Sequence, residues 1–383
     1  MGDARGGLIY LDCNATTPVD PRVADAMIPV LREAYGNPSS GHREGRRARA
    51  LVEAARGQVA ECLGAQPEEI LFTSGGTESD NWAIRGVVEA RTGGHVVVTS
   101  VEHPAVLATA RALEREGGIR LTVVGVDRFG RVDAGAIARE LAPDTVLVSV
   151  MLANNEVGTI EPVAEIARAC RARNVVLHTD AAQAVGKIAV NVGELGADLL
   201  TVAGHKLYAP KGVGALFVRT GVALEPLIRG AGHERGLRSG TENVPSIVGL
   251  GKACELVRQE VAQEGPRLRA LRDTLEALLA AGFPGLVRHG HPEERLPNTA
   301  SVAFPGVDAN ALLALLAEEV AASAGAACHT DAVHPSAVLT AMGVDAATAM
   351  STVRFSLGRF TGERDVENGA RRVLATAHTL MRT

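Results

Sequence analysis

Aromatic residues are scarce in this chain, because phenylalanine, tryptophan and tyrosine together make up 3% of its 383 residues. Proteins that bind single-stranded nucleic acid stack the bases on aromatic side chains, so this scarcity argues against such a role. The chain also has no block of basic residues, and its formal net charge is −5. Both features argue against nucleic acid as a partner.

Long hydrophobic runs are absent too. One of the longest, ALLALLA from Ala311, is too short to cross a bilayer as a helix. The first residues, MGDARGGLIYLD, lack the charged start and apolar centre of a secretory signal. We therefore expect no membrane contact and a cytoplasmic location.

The five cysteines are odd in number, scattered, and contain no C-x-x-C pair; they are Cys13, Cys62, Cys170, Cys254 and Cys328. This pattern argues against a disulfide scaffold or a structural zinc site and fits a reducing cytosol. We expect one or two thiols to be reactive and the others to be small core residues.

Cys328 lies in SAGAACHTDAVHPS, a stretch of small and turn-forming residues that predicts a mobile loop rather than a core element. An exposed cysteine beside His329 could ionise readily and act as a nucleophile. Cys328, His329 and His334 match no standard zinc spacing, so no metal is expected there.

The length suits one large domain and a smaller one. Between about residues 70 and 220, short β-rich runs such as HVVVTS, TVLVSVM and VVLHTD alternate with helical patterns. This alternation predicts an α/β fold with a mostly parallel sheet covered on both faces. After about residue 250 a long charged helix leads into a segment with fewer clear strands, which predicts a second, smaller α/β domain. Ligands of parallel sheets bind at the carboxyl ends of the strands.

A lysine and an aspartate stand near two such ends. Lys206 follows a buried run in TVAGHKLYAPKG, and Asp180 ends VVLHTD. A pyridoxal phosphate enzyme needs an amine to hold the cofactor aldehyde as a Schiff base and a carboxylate to keep the pyridine nitrogen protonated. The alternatives are a solvated loop lysine and a capping aspartate.

A glycine turn in LFTSGGTESDNWAI joins a strand to a helix. Gly75 and Gly76 allow close backbone approach, and Thr77 and Glu78 open the helix, where backbone N–H groups favour a phosphate. The alternative is a simple capping turn. The run is neither a Walker A loop nor a G-x-G-x-x-G turn.

Other polar residues follow strands. His103 could stack on a cofactor ring or be a satisfied buried histidine. Asn154 and Asn155 could bind a carboxylate or ring oxygen, or simply favour a turn. Gln183 can face the same ligand as Asp180 if a helical turn follows the strand.

Two arginine-containing segments complete the set. Arg354, on the apolar strand VRFSLG, needs an anionic partner, either a substrate carboxylate or an internal salt bridge. The loop GHERGLRSGTEN, with Arg235, Arg238 and Thr241, could reach a phosphate, in an oligomer from the neighbouring subunit, or could be an exposed loop.

Taken together, these runs resemble the cysteine desulfurases, within the class V aminotransferase-like group of pyridoxal phosphate enzymes. The resemblance covers nearly the whole chain, through YLDCNATTPVDPRV, AYGNPSS, FTSGGTESDN, NNEVG, HTDAAQAVGK, GHK, RSGTEN and RFSLGRF. It implies the fold type I of pyridoxal 5′-phosphate-dependent transferases, with a mostly parallel seven-stranded sheet. The large cofactor-binding domain would span 15–250, and the small α/β domain 1–14 and 251–383.

The resemblance also implies roles. Lys206 would bind the cofactor covalently, Asp180 its ring nitrogen, Gln183 its ring hydroxyl, and His103 would stack on the ring. The turn at Gly76, with Thr77 and His205, would hold the phosphate, and Thr241 of the partner subunit would join them. Asn155 and Arg354 would bind the substrate carboxylate, and Cys328 would take the sulfur. Lys206, His103 and Cys328 would then be the catalytic residues.

The implied activity is removal of sulfur from L-cysteine by a homodimer, giving L-alanine and a persulfide for an acceptor such as an iron–sulfur scaffold or for thio-modification. The run GAACHTD with PSAVL looks more like selenocysteine lyases, which makes release of selenium from L-selenocysteine the alternative. Pro104 departs from the acidic residue of mammalian-type lyases. Ala203 departs from a phosphate-binding serine of many relatives, so one contact is lost.

Overall fold

The computed structural model describes residues 7–329 and 332–382, and for 326–329 and 332–333 it describes the backbone only. Twelve α-helices lie in this part of the chain. They are α1 Pro21–Glu33, α2 Arg43–Leu63, α3 Gly76–Ala90, α4 Pro104–Arg115, α5 Ala134–Glu140, α6 Val163–Ala172, α7 Val192–Leu195, α8 Val244–Gly282, α9 Ala309–Leu316, α10 Ala337–Ala341, α11 Ala346–Met350 and α12 Glu363–Leu380.

Fifteen strands accompany them in the same described residues. They are β1 Ile9–Tyr10, β2 Ile70–Thr73, β3 Gly94–Thr99, β4 Ile119–Val124, β5 Thr145–Ser149, β6 Val176–Asp180, β7 Leu199–Ala203, β8 Gly214–Val218, β9 Val287–His289, β10 Thr299–Ala303, β11 Val320–Ala321, β12 Ser323–Ala324, β13 Ala326–His329, β14 Ala332–Pro335 and β15 Thr352–Ser356.

Seven strands form the central sheet in the order β2-β8-β7-β6-β5-β3-β4. Strands β3 to β7 pair in parallel, and β8 runs antiparallel to both of its neighbours. The predicted mostly parallel seven-stranded sheet is therefore confirmed. The strand runs from HVVVTS to GVGALFV all lie in it, because uninterrupted apolar runs suit strands that are buried on both faces.

Alternate residues of these strands enter two different cores. Phe72, Val97 and Leu200 pack with α1, α2, α5, α6 and the first half of α8. Their neighbours Leu71 and Val98 pack with α3 and α4 around Trp82 on the opposite face. Because side chains alternate along a strand, one apolar run supplies both layers. Polar residues instead lie at the edge of the sheet where the carboxyl ends of the parallel strands meet.

A smaller antiparallel sheet, in the order β12-β15-β10-β9, forms the second centre of packing. Its core contains the second half of α8, α9 and α12 with Phe304 and Phe355. The N-terminal strand β1 pairs in parallel with β11 beside it, and Asp12 forms a bridge to Ser356. Residues 9–12 therefore lie beside this smaller sheet.

Helix α8 connects the two cores. The sequence predicts it after about residue 250, but it begins at Val244, where the side chain of Asn243 caps the first turn by accepting from the N–H of Ser246. It has 39 residues and contains Pro266. Its first half packs on the large core and its second half on the small one.

The predicted loop around Cys328 is a strand as far as the backbone shows, and the mobility of this segment stays a prediction. Strand β13 pairs antiparallel with β14, with Cys328 opposite Val333. Two short runs around a turn-forming pair also fit a hairpin. The small residues of this segment show no apolar alternation, so the sequence pattern did not separate a hairpin from a loop.

Membrane-spanning helices, metal-ligand clusters and disulfides are all absent from the described residues. None of their helices combines the length and the apolar character needed to cross a membrane. They contain no cluster of three or more potential metal ligands. Cys13, Cys62, Cys170 and Cys254 are not in disulfides.

Candidate active site

A cavity of about 310 Å³ lies at the carboxyl ends of the central strands. Nine residues singled out from the sequence line it, together with seven others. The nine are Gly76, Thr77, His103, Asn155, Asp180, Gln183, His205, Lys206 and Arg354. The topology brings them together, because parallel neighbouring strands end at one edge of the sheet.

Asp180 and Lys206 reach this cavity from adjacent strands. Asp180 is the last residue of β6, where it lies opposite Thr201 of β7. Strand β7 ends at Ala203, and a single 3-10 turn, Gly204–Lys206, turns the lysine into the cavity.

The amine of Lys206 is held by backbone carbonyls. Its Nζ donates to the carbonyl oxygen of Ala15 at 2.8 Å and to that of Asn14. Burial lowers the pKa of Lys206 to about 8, and the nearby Arg354 guanidinium acts in the same direction. A lysine with this pKa is partly neutral near pH 8, which lets it act as a nucleophile or a base.

Asp180 forms the buried acidic side of the cavity. The backbone N–H of Ala182 donates to its Oδ1 at 2.8 Å. Burial raises the pKa of Asp180, while the charges of His103 and Lys206 act against that rise. A cationic ring bound beside this carboxylate would offset its desolvation, since opposite charges favour each other strongly in a buried site.

A second buried carboxyl group, Asp80, also lines the cavity. Burial raises its pKa well above the usual range, and the Asp180 charge raises it further. Among the described residues its Oδ1 accepts no hydrogen bond. Asp80 lies in the helix-opening run LFTSGGTESDNWAI, and an acidic residue there is ordinary for the start of a helix, so the sequence did not mark it as a cavity residue.

The first turn of α3 supplies the anion-binding end of the cavity. Gly75 has φ +150° and lets the chain turn sharply from β2 into the helix, so that Gly76 and Thr77 line the cavity. The N–H of Ser74 donates to Glu78 Oε2 at 2.9 Å. The cap residue Gly75 supplies no side-chain hydrogen bond to the helix, whose N-terminus faces a cavity that suits an anion, so phosphate binding at this turn stays a prediction.

His205 lies at the same cavity. Its Nδ1 is 3.2 Å from Thr16 Oγ1. Burial lowers its pKa to about 4, and the charges of Lys206 and Lys211 act in the same direction. The imidazole is therefore neutral at pH 7 and can donate or accept a hydrogen bond, but it supplies no positive charge.

His103 is not the buried, satisfied histidine that the sequence left open. It is exposed on the cavity side and caps α4, where its Nδ1 accepts from the N–H of Ala105 at 3.1 Å. This contact fixes the ring orientation. Burial by the surrounding protein still lowers its pKa, which favours a neutral ring available for stacking.

The two asparagines after β5 have different positions. Asn154 is fully buried, and its Oδ1 accepts from the N–H groups of Glu156 and Val157, as in a turn. Asn155 lines the cavity. Its backbone carbonyl accepts from Arg354 Nη1 at 3.0 Å. One member of the pair is therefore structural, and the other faces the ligand space.

Arg354 forms the internal salt bridge that the sequence left as an alternative. Its Nη2 donates to Asp12 Oδ1 and to Ser323 Oγ, both at 2.9 Å. Its Nε is buried without a hydrogen-bond partner among the described residues. Because Arg354 also lines the cavity, the salt bridge orients a guanidinium that an anionic ligand can reach.

The loop with Arg235, Arg238 and Thr241 does not line this cavity. Arg238 pairs with Glu78 at 2.9 Å, and Arg235 donates to the carbonyl oxygen of Ile70 at 2.9 Å. Thr241 is exposed. Only the backbone of Cys328 is described. The predicted role of its thiol as a nucleophile therefore lies outside the described residues.

Asn14 is another polar cavity residue that the sequence did not point to. Its backbone N–H donates to Ser356 Oγ at 2.9 Å and its Nδ2 to Thr299 Oγ1 at 2.9 Å, both in the smaller sheet. Its carbonyl oxygen accepts from Lys206 and Gln183. The only signal in the sequence was its place in the polar run after LIYLD, beside one of the motifs.

An amine with a lowered pKa, a buried carboxylate and a helix N-terminus around one cavity define the class of pyridoxal phosphate-dependent transferases. The family model of aminotransferase class-V matches residues 9–368. A cysteine desulfurase of Gluconacetobacter diazotrophicus is 48% identical over 362 residues, which are 94% of this chain and 90% of that protein. A cysteine desulfurase IscS of Methanosarcina thermophila is 44% identical over 363 residues, 94% of this chain and 89% of that protein.

A solved structure of a NifS-like protein has a TM-score of 0.90 and 39% sequence identity, over 96% of this chain and 98% of that one. A structure of SspA in complex with cysteine has a TM-score of 0.82 and 35% sequence identity, over 92% of this chain and 99% of that one. The chain therefore belongs to the cysteine desulfurase family within the class-V aminotransferases. It is an enzyme family that depends on pyridoxal 5′-phosphate.

Proposed function

We propose that this protein removes sulfur from L-cysteine, releases L-alanine and carries the sulfur as a persulfide on Cys328 for transfer to an acceptor. The observation that carries the proposal is the lowered pKa of Lys206 at a cavity that Asp180 also lines, in a chain of this family. The relatives reported above are cysteine desulfurases, which favours cysteine over the selenocysteine alternative.

The cavity residues fit pyridoxal 5′-phosphate. Lys206 would hold its aldehyde carbon, Asp180 its ring nitrogen, and Gln183 its ring hydroxyl, while His103 stacks on the ring. The turn at Gly76 with Thr77 and His205 would hold the phosphate. When bound, this cofactor withdraws electrons from the Cα of an attached amino acid and so makes its proton acidic.

Two residues would bind and orient the substrate. The guanidinium of Arg354, oriented by Asp12 and Ser323, would bind the carboxylate of cysteine. Asn155 would add a side-chain amide beside it. Holding the carboxylate in this way fixes the direction of the Cα–H bond relative to Lys206.

Lys206 would then remove the proton from Cα, and its Nζ would hold that proton. A base with a pKa of about 8 suits this work near neutral pH, because an appreciable part of it is neutral and it still binds a proton well. The carbonyl oxygens of Ala15 and Asn14 keep the amine at the cavity after it is released from the cofactor.

Cys328 would take the sulfur. Its thiolate would attack the substrate sulfur, so that an S–S bond forms and the C–S bond breaks. The electron pair of the broken bond stays with the substrate carbon, which takes up protons and leaves as alanine. The backbone hairpin of β13 and β14 would carry the persulfide from the cavity to an acceptor such as an iron–sulfur scaffold.

We also propose a homodimer in which Thr241 of each chain completes the phosphate site of the other. Thr241 is exposed and does not line the cavity of its own chain. The loop that carries it is tied to the start of α3 through the Arg238–Glu78 ion pair.

The experiment is a cysteine assay on purified protein with its absorbance recorded. We expect a yellow protein whose absorbance changes on addition of L-cysteine, with equal amounts of alanine and sulfane sulfur formed. Lys206→Ala should abolish turnover and covalent cofactor binding, because one amine has both roles. Turnover of more than a small fraction in that variant would refute the assignment, and faster turnover of L-selenocysteine with no persulfide would favour the alternative.

A further inference from the structure

A second buried lysine lies beside the cavity and has no role in the mechanism above. Lys187 is 6% exposed and follows the turn after β6. Its Nζ donates to the carbonyl oxygen of Gln183 at 3.0 Å and to Gln183 Oε1 at 2.9 Å. Both of these hydrogen bonds go to one residue. No ion pair to Lys187 is found within the described part of the chain.

Such an amine is costly to bury. Burial lowers the pKa of Lys187 to about 7, and Lys206 and Arg354 act in the same direction, while Cys13 opposes them. An apolar side chain of similar length would avoid the desolvation and the repulsion from Lys206. A contribution other than packing therefore accounts for an amine at this position.

The role of the Lys187 amine follows from the asymmetry of the Gln183 side chain. A carboxamide has an oxygen that accepts and a nitrogen that donates two hydrogen bonds. The lysine amine donates N–H in both of its protonation states, so it holds Gln183 Oε1 on its own side. Gln183 Nε2 must then face the other way, where it donates to the carbonyl oxygen of Asn14 at 3.0 Å.

We propose that Lys187 is a positioning residue that fixes the carboxamide of Gln183, so that an N–H donor rather than an oxygen faces the cavity. A donor there matches the ring oxygen of pyridoxal phosphate, so the inference rests on the proposed function. The second N–H of Nε2 remains for this oxygen, because the first is taken by Asn14.

The contact with Asn14 extends the effect to the catalytic amine. The Asn14 carbonyl oxygen accepts from both Gln183 Nε2 and Lys206 Nζ. A flipped carboxamide would place two oxygens against each other and disturb the carbonyl that holds Lys206. Lys187 thus supports one orientation of Gln183 on which both the ring contact and the position of Lys206 depend.

The test is a double-mutant cycle on cofactor affinity. The apo forms of the wild type, Lys187→Met, Gln183→Ala and the double variant are titrated with pyridoxal 5′-phosphate. We expect each single variant to bind about tenfold more weakly, the loss of one well-placed hydrogen bond to a charged group. The double variant should also lose only about tenfold, because both changes remove the same contact.

Lys252→Met on α8, at a lysine that does not line the cavity and pairs with Glu255, is the control and should bind like the wild type. Wild-type affinity in Lys187→Met would overturn the proposal, and so would a loss of about a hundredfold in the double variant, which means independent action. If the wild type itself captures no cofactor, the proposed function has failed, and that result is distinct from both.

Gln183→Glu covers the case in which Lys187→Met fails to fold. A carboxylate keeps the contact with Lys187 as an ion pair, but it presents oxygen instead of N–H to the cavity. We expect a native melting temperature, weaker cofactor binding and a shifted absorption maximum, which a loss of packing alone would not produce. Lys187→Arg, which still donates, should keep the wild-type maximum, and an unshifted maximum in Gln183→Glu would overturn the proposal.

Discussion

The chemistry of single residues depends on where burial places their charges. Lys206 has a pKa of about 8 because it is desolvated and because the Arg354 guanidinium is near. Its neutral fraction therefore rises as the pH rises through about 8, and is about a tenth at pH 7. An exposed lysine, with a pKa near 10.4, would be almost entirely charged there.

This gives a prediction on the pH dependence of cofactor capture. The rate at which apoprotein binds pyridoxal phosphate covalently should rise with pH and level off above about 8, because only the neutral amine attacks. Arg354→Gln removes a nearby cation, so the pKa of Lys206 should rise and the curve should move to higher pH. The measurement is the growth of cofactor absorbance at a series of pH values.

The control is Arg120→Gln, which should leave the curve unchanged. Arg120 lies on β4, is exposed, and pairs with Asp144. A curve for Arg354→Gln that coincides with that of the wild type would show that Arg354 does not act on the amine. A shift to lower pH would contradict the sign of the interaction.

A further prediction concerns the sulfur-accepting thiol. Cys328→Ser should eliminate the formation of sulfane sulfur from L-cysteine, because a hydroxyl is a far weaker nucleophile toward sulfur than a thiolate. Cofactor binding should be unchanged, since Lys206 is intact. Peptide mass spectrometry of the wild type after brief exposure to cysteine should show an addition of about 32 Da, one sulfur atom, on the peptide with Cys328.

The other cysteines are internal controls for that experiment. Cys13, Cys170 and Cys254 are buried, and Cys62 is partly buried. Added sulfur on one of their peptides instead of the Cys328 peptide would assign the reaction to a different thiol.

The sequence predicted the residues of the cavity that follow strands, and missed those defined by distant contacts. Asp180 and Lys206 could be identified because acidic and amine groups after buried runs are unusual and have a clear chemical use. Asn14 could not, because its partner Ser356 is 342 positions away along the chain. Lys187 was also missed, since a lysine at the end of TDAAQAVGK gives no sign that it is buried.

At the scale of elements, apolar runs predicted the central strands well and the helix boundaries less well. Runs buried on both faces need only their hydrophobicity to be identified. The start of α8 depends on the capping contact of Asn243 with the N–H of Ser246, a local geometry that the apolar pattern does not contain. The hairpin of β13 and β14 depends on backbone pairing between small residues.

One buried ion pair links three parts of the chain and gives a prediction on stability. Arg56 of α2 and Glu234 of the loop before α8 are bonded at 2.7 Å and 2.9 Å with almost no exposure. Glu234 Oε2 also accepts from the N–H of Phe72 on β2. Glu234→Gln should lower the free energy of unfolding by about 3 kcal/mol, because it leaves the buried Arg56 charge with only the largely exposed Glu53 as an anionic partner.

Glu53→Gln is the matched control. Glu53 contacts the same guanidinium at 3.1 Å, but its side chain is 58% exposed. Its loss should therefore cost less than about 1 kcal/mol. Denaturant unfolding of the two variants measures the difference, and equal effects would show that burial does not set the strength of these pairs.

At the scale of the whole molecule, the N-terminal segment connects the two centres of packing. Strand β1 pairs with β11, and Asp12 bonds Arg354, all on the side of the smaller sheet. Asn14 then reaches Lys206 on the central sheet. We propose the division of the chain into 15–250 and 1–14 with 251–383, and the contacts of residues 9–14 with the smaller sheet support the assignment of the N-terminal segment.

The proposed homodimer leads to the last prediction. Two differently tagged chains, Lys206→Ala and Thr241→Ala, are combined into a heterodimer. If Thr241 acts across the interface, both defects fall on one site, and the other site has an intact Lys206 and an intact Thr241. Each heterodimer should then hold one lysine-linked cofactor with wild-type affinity and show about half of the wild-type turnover, as one site of two. If Thr241 acts within its own chain, both sites are defective and no site of wild-type affinity forms. Because the Thr241→Ala homodimer must itself bind the cofactor more weakly for this comparison to hold, wild-type binding in that homodimer would remove Thr241 from the phosphate site altogether.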